Sequence, residues 1–294
     1  MIVPGKRTTK VEVQRNAGGE VHTVADVVAA EEPLEIRIEV PGSRSRDHRV
    51  SVTMRTPGHD FELAAGFLYS EGLVRERRAL VDLRYCADVE PQEYNVVTAR
   101  LRSSDDFDPD LLNRNFYVTS SCGVCGKASL EAVEVQGCAP LPVGTLKVSD
   151  QVVMEAPSEL RRQQEVFGRT GGIHAAGLFS AEGTAAVVRE DVGRHNAVDK
   201  VIGHALLAGR LPLAESFLTV SGRTSFEIVQ KALMAGIPMV VAVGAPSSLA
   251  VDLAMRFNMT LIGFARDTGF NVYHGAERVE HRLGGEPVNA AAVS

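Results

Sequence analysis

Hydrophobic positions recur along this chain with two different periods, and the change between them divides it. Leu34, Ile36, Ile38 and Val40 alternate with Glu35, Arg37 and Glu39, the period of a strand with one buried face. After a polar stretch to Arg49, Val50, Val52 and Met54 alternate again, and the two runs predict a hairpin. Thr56-Pro57-Gly58 breaks the pattern, and Phe61, Ala64, Ala65 and Leu68 then follow at helical spacing. Strand-like runs from Val81 to Val89 and from Tyr94 to Leu101 complete a β-rich lobe carrying one helix. The opening ~20 residues and the stretch from Leu283 to Ser294 are polar or small and read as frayed tails.

From about residue 140 the pattern changes. A helical stretch from Asp150 to Phe167 is followed by strand-like Thr184–Arg189, Ser216–Val220, Met239–Val243 and Met259–Phe264. Helical runs from His195 to Leu207, Phe226 to Ala235 and Ser248 to Phe257 separate them. Strands joined by helical crossovers predict an α/β fold with a mostly parallel sheet covered on both faces. The division expected is a β-rich lobe over 21–115, a thiol-bearing segment over 116–139 and an α/β lobe over 140–282, forming one unit.

Composition narrows the function. Of 294 residues, 45% are hydrophobic and 23% charged, the balance of a globular protein. A net charge of −6, no Trp and 5% aromatic residues argue against a broad nucleic-acid surface. The longest apolar run, Ile237 to Ala245, contains Pro238 and Gly244 and is too short to span a bilayer. The N-terminus turns polar too soon for a signal peptide, and four Cys are too few for a disulfide scaffold. A cytoplasmic protein, binding neither membrane nor nucleic acid, is the expectation. Asp105, Asp106, Asp108 and Asp110 read as a solvated loop.

Ligands of such sheets bind beyond the carboxyl ends of the strands, where this chain places its unusual loops. They are Arg189–Asn196, Ser221–Ser225, Gly244–Ser248 and Phe264–Gly269. Gly193, Gly222 and Gly244 allow close approach to a ligand, and Arg194, Arg223 and Arg266 have the fork geometry for phosphate oxygens. Taken singly, each loop reads as an ordinary helix cap with a surface arginine. Four converging on one edge point to a phosphate-bearing ligand, although neither common phosphate-binding signature is present. Thr170-Gly-Gly-Ile-His174 suggests a turn holding an imidazole near the sheet, and His195 sits at a helix start beside Arg194. Glu190 and Asp191 either orient the arginines or face water.

The sharpest local feature is Ser121-Cys-Gly-Val-Cys-Gly-Lys127. Lys127, and the start of any helix over Ala128–Val133, would favour a thiolate. Cys122 and Cys125 fit three chemistries by spacing alone: half a zinc site, a thioredoxin-like redox pair, or a sulfur carrier holding a persulfide. A zinc site lacks a second Cys-x-x-Cys, and His59-Asp-Phe-Glu62 is off register by one for a zinc deaminase. Cys86 and Cys138 read as small buried hydrophobes.

The order of these segments carries a resemblance. Thr56-Pro-Gly58, Ala64-Ala-Gly-Phe-Leu68, the Cys122–Cys125 motif, Thr170–Gly177, Arg189–Lys200, Ser221–Ser225 and Phe264-Ala-Arg266 together closely resemble the formate dehydrogenase accessory sulfurtransferases, the FdhD/NarQ family. The resemblance implies a sulfurtransferase that takes persulfide sulfur from a cysteine desulfurase. It would deliver that sulfur to the molybdenum of a bis(molybdopterin guanine dinucleotide) cofactor, which activates formate dehydrogenase. Cys122 matches the persulfide-bearing position and Cys125 its neighbour. Phe264, Ala265, Arg266, Asp267, Thr268 and Gly269 match the segment associated with cofactor binding, for which a guanine nucleotide would be a mimic. The family fold resembles that of cytidine deaminases, a three-layer α/β/α sandwich without the zinc, and implies a homodimer. A zinc-dependent deaminase-like hydrolase and a non-catalytic cofactor-binding chaperone are the competing expectations.

Overall fold

The computed structural model describes residues 5–42, 47–86, 93–104, 138–144 and 146–281. The acidic stretch from Asp105, the Cys122–Cys125 motif with its following helix, and the final tail lie outside the described residues.

The N-terminal region is not frayed. Strands β1 (Thr8–Ala17) and β2 (Glu20–Ala29) form an antiparallel hairpin around Gly18-Gly19, both at positive φ. Gly-Gly between two ten-residue runs is a two-residue hairpin signal, obscured because most of these side chains are exposed and the alternation is weak.

The first lobe follows the expected pattern. Strands β3 (Glu32–Glu39) and β4 (His48–Arg55) pair antiparallel, helix α1 (Asp60–Ser70) follows, and β5 (Leu80–Tyr85) and β6 (Val96–Leu101) complete a sheet ordered β4-β3-β6-β5. Leu34, Ile36, Ile38, Val97 and Ala99 are fully buried against Leu63, Ala64 and Leu68 of α1. The outward face carries ion pairs such as Arg49–Glu35 at 2.6 Å and Arg100–Asp82 at 2.9 Å.

The second lobe begins with β7 (Val148–Ser149). The expected long helix is two, α2 (Asp150–Arg162) and α3 (Glu165–Thr170). Then come β8 (His174–Ser180), β9 (Ala185–Asp191), α4 (Arg194–Leu207), β10 (Ser216–Val220) and α5 (Phe226–Met234). The last elements are β11 (Met239–Ala242), α6 (Ser248–Arg256), β12 (Thr260–Arg266), β13 (Gly269–His274) and β14 (Val279–Glu280), which pairs with β7. The central sheet is ordered β13-β12-β11-β10-β8-β9.

The sheet is mixed rather than mostly parallel. Only β10–β11 and β11–β12 pair in parallel, while β8 and β13 run against their neighbours. Both were missed as strands: β8 hides behind Gly171-Gly172, and β13 follows β12 through a two-residue turn without a helix. On one face Val153, Ala156 and Leu160 of α2 pack on Phe179, Phe217, Met239 and Ile262. On the other, α4, α5 and α6 pack through Val198, Val201, Ile228, Val229 and Leu253. The α/β expectation is met in three layers.

The lobes join where α1 crosses α4. A Cβ on Gly66 would lie 1.8 Å from the backbone oxygen of Asp199, and one on Gly203 would lie 1.8 Å from that of Glu62. Hydrogen donors and acceptors seal the seam. Asp191, fully buried, accepts from the backbone N–H of Thr56 and Gly193 and from Asn196 Nδ2, and lies 2.6 Å from Lys200 Nζ. Lys200 also donates to the carbonyls of Thr56 and Glu190. Among the described residues no helix is long and apolar enough to cross a membrane.

Candidate functional site

Strands β9, β10, β11 and β12 run in one direction, so their carboxyl ends meet at one edge of the sheet, and β8 begins there. This brings all five glycine- and arginine-bearing segments together. They are stitched by hydrogen bonds: Ala175 N–H donates to Ser221 Oγ at 2.9 Å, Gly244 N–H to the Gly222 carbonyl at 3.1 Å, and Phe264 N–H to the Gly244 carbonyl at 3.2 Å. Helices α4, α5 and α6 start at this edge, with their positive dipole ends toward it. Ser247 caps α6 by accepting from the N–H of Ala250.

A cavity of ≈ 680 Å³ opens at this edge, in the size range of small-molecule sites. Its sheet-side wall includes His174, Ser221, Val243, Ala265, Arg266 and Asp267. The opposite wall comes from α2 and α3 through Ser158, Arg161, Gln164 and Phe167. The two walls touch where Ser158 Oγ donates to Asp267 Oδ1 at 2.6 Å. Arg161 lies 3.8 Å over the Phe167 ring, which fixes its guanidinium by cation–π attraction. Sequence reasoning missed this second wall. Its signal is the spacing of Ser158, Arg161 and Gln164, every third residue on one face of a helix whose other side is apolar.

The segment Phe264–Gly269 is a strand end and a tight turn, not a loop before a helix. The pairing of β12 with β13 is irregular between Gly263 and Arg266. Phe264 sits there with φ 54 and 42% exposed. A left-handed Phe costs about 1–2 kcal/mol. The conformation sets the ring in water beside the cavity mouth while Ala265 stays buried and Arg266, Asp267 and Thr268 stay exposed.

The other predicted residues divide. Arg194 and His174 lie together at Gly222, where an added Cβ would meet His174 Nδ1 at 3.3 Å and Arg194 Cδ at 4.0 Å. Arg223 is exposed and outside the cavity wall, so the cavity's arginines are Arg161 and Arg266 instead of the expected three. Glu190 and Asp191 neither face water nor orient arginines of the site. Glu190 is buried, accepts from the N–H groups of Val166 and Phe167, and pairs with Arg7 at 3.2 Å. It thereby fixes α3 and the second wall.

His195 Nε2 is 3.0 Å from Ser225 Oγ and 3.7 Å from Glu227. Burial, then the charges of Lys231 and Arg194, pull its pKa down to about 4 against the opposing pull of Glu227. His174 is lowered in the same direction by burial and Arg194. Both imidazoles are therefore neutral at pH 7 and available for hydrogen bonding. The unfolded chain takes up the His195 proton near the ordinary value of 6.5, whereas the folded chain does so only near 4. Between those values the unfolded state holds more protons, so stability falls as pH drops through that window. His195→Gln removes this contribution, and its urea midpoint should fall less than that of wild type between about pH 7 and pH 5. Equal falls would show that His195 does not titrate this way.

Cys86 and Cys138 are half-buried, not fully buried as expected. The Cys138 thiol meets Met234 Sδ at 3.1 Å, and burial pushes its pKa up to about 11. Of the deaminase-like pair His59 and Glu62, the carboxylate is bound on both oxygens by Arg189, at 2.5 and 2.8 Å, and by His204 at 3.0 Å. Among the described residues no cluster of three or more His, Cys, Asp or Glu is arranged to hold a metal.

Comparison with known proteins gives a consistent picture. The profile of the FdhD/NarQ family matches residues 29–280. A protein named sulfur carrier protein FdhD from Streptomyces coelicolor is 49% identical over 282 residues, covering 95% of this chain and 98% of its own. Its namesake in Mycobacterium tuberculosis is 48% identical over 283 residues, covering 94% and 99%. Among solved structures, a Desulfotalea psychrophila protein assigned as a formate dehydrogenase accessory protein superposes with a TM-score of 0.72 at 25% identity, over 94% of this chain and 100% of that one.

Proposed function

The chain belongs to the FdhD/NarQ family, and from that membership we propose a sulfur carrier that serves formate dehydrogenase by a persulfide on Cys122. The observation that carries this reading is the family match over almost the whole chain, together with the Cys122-Gly-Val-Cys125 motif.

The loading step is thiol exchange. The Cys122 thiolate attacks the terminal sulfur of a cysteine desulfurase persulfide, forming one S–S bond as another breaks and returning the desulfurase thiolate. Delivery to the molybdenum of a bis(molybdopterin guanine dinucleotide) acceptor as sulfide takes up two electrons. Attack by Cys125 on Cys122 supplies them, leaving a disulfide and releasing the terminal sulfur. Mass spectrometry after incubation with a desulfurase and cysteine is expected to show the protein heavier by one sulfur atom. An unchanged mass would sink the proposal.

The cavity at the sheet edge is where this reading puts a guanine nucleotide end of the acceptor. Its volume suits one nucleotide and not a whole bis-dinucleotide. Arg266 brings a fork for phosphate oxygens, the exposed Phe264 ring a face for stacking, and three helix N-termini a favourable potential for anions. Two such sites in a homodimer would serve the two nucleotide ends. Arg266→Ala is expected to weaken GDP binding about 10-fold or more, with the melting temperature unchanged because the side chain is exposed. Equal affinities by calorimetry would remove Arg266 from the site.

A further inference from the structure

Gln164 is 5% exposed and lines the cavity, yet its side-chain Nε2 has no hydrogen-bond partner among the described residues. It occupies the cap position of α3 but makes no side-chain cap bond. That role is taken by Glu190, whose two carboxylate oxygens accept from Val166 and Phe167. A buried amide donor without a partner is uncommon, because water has been removed and nothing has replaced it. Asp267 also lines the cavity. Ser158 donates to its Oδ1, which orients the carboxylate. The cavity thus offers an uncharged donor and an oriented acceptor, brought from different walls.

We propose that Gln164 and Asp267 read the hydrogen-bonding edge of the bound purine and set a preference for guanine over adenine. This rests on the cavity being the nucleotide site proposed above. Guanine presents N1–H and N2–H donors beside the O6 acceptor, in the polarity an Asp carboxylate and a Gln amide N–H complement. Adenine reverses it: an acceptor at N1 would face the carboxylate, its exocyclic amine would face the amide donor, and nothing stands at C2. A site with fixed polar groups discriminates strongly, because the wrong base leaves those groups unpaired. Ser158 is a positioning residue, acting through Asp267.

The test is calorimetric titration of the full chain with GDP, IDP and ADP. Wild type is expected to bind in the order GDP, IDP, ADP, since hypoxanthine keeps O6 and N1–H but lacks the exocyclic amine. Gln164→Glu puts an acceptor against O6 and is expected to weaken GDP about 10-fold while leaving ADP unchanged or tighter. Asp267→Asn is expected to bring GDP and ADP within about threefold of each other. Because Asp267 is exposed, this second variant keeps its fold even if the buried Gln164 variant does not. GDP binding with the GDP-to-ADP ratio unchanged in both variants overturns the proposal and leaves the nucleotide site standing. No GDP binding by wild type overturns the nucleotide site and this proposal with it.

Discussion

A Cys122→Ala variant is expected to take up no sulfur from a cysteine desulfurase and to leave formate dehydrogenase inactive in cells that lack the wild-type chain. The loss should be complete because no other described thiol is a substitute. Cys138 has its pKa pushed up to about 11 by burial. At pH 7 only about one such thiol in ten thousand is thiolate, and the thiolate is the nucleophile. Cys125→Ala is expected to separate the two half-reactions: sulfur still loads on Cys122, but delivery fails for want of the second thiol. Intact mass reads the first step and formate-dependent dye reduction the second. A Cys122→Ala chain that still restores formate dehydrogenase would instead favour a cofactor-binding chaperone with incidental thiols.

Gly203→Ala should destabilise the whole protein by about 3 kcal/mol, a large part of the stability of an ordinary domain. Helix propensity alone predicts the opposite, a gain of about 1 kcal/mol on replacing a mid-helix glycine. Packing decides the sign. The new Cβ would lie 1.8 Å from the Glu62 backbone oxygen and 2.8 Å from the Gly66 nitrogen, atoms that cannot rotate away. Helices α1 and α4 must separate, and every contact along the seam weakens, including the bonds from Asn196 and Lys200 across to Met54 and Thr56. Gly168→Ala in α3 is the control. It meets nothing within 4 Å and should follow propensity, with a small gain. Urea titration of both variants checks the pair of signs, and a stabilised Gly203→Ala would show that the helices separate at little cost.

The same seam explains why the motif Arg189–Lys200 misled a reading by chemistry. Its charges look like a ligand site because they are dense and flanked by glycine. In the fold, Asp191 and Lys200 are buried against each other, Asn196 reaches Met54, Glu190 holds α3, and Arg189 is bound to Glu62. Arg194 and His195 alone of its central charged and imidazole groups are left near the cavity. An inter-lobe clamp and a ligand clamp draw on the same side chains, and only the partner, distant in sequence, tells them apart. Thr56 and Asp191 are 135 positions apart.

Strand periodicity by itself determined the first lobe's hairpin and helix, since burying one face of a strand imposes a period of two whatever lies beyond it. Three crossover helices and the convergence of their preceding loops were likewise legible, because strand-to-helix alternation constrains which ends of the strands meet. The order of the motifs, with Cys122 and Cys125 among them, sufficed for the family. Tertiary structure decided the rest. Strands β8 and β13 run antiparallel because their connections are short turns, a property of pairing and not of either strand's composition. The second wall of the cavity, with Gln164 and the Ser158–Asp267 bond, joins positions 109 apart on a helix and a strand. Sequence records which residues have polar groups to offer; only packing determines which of them are left without a partner in a cavity.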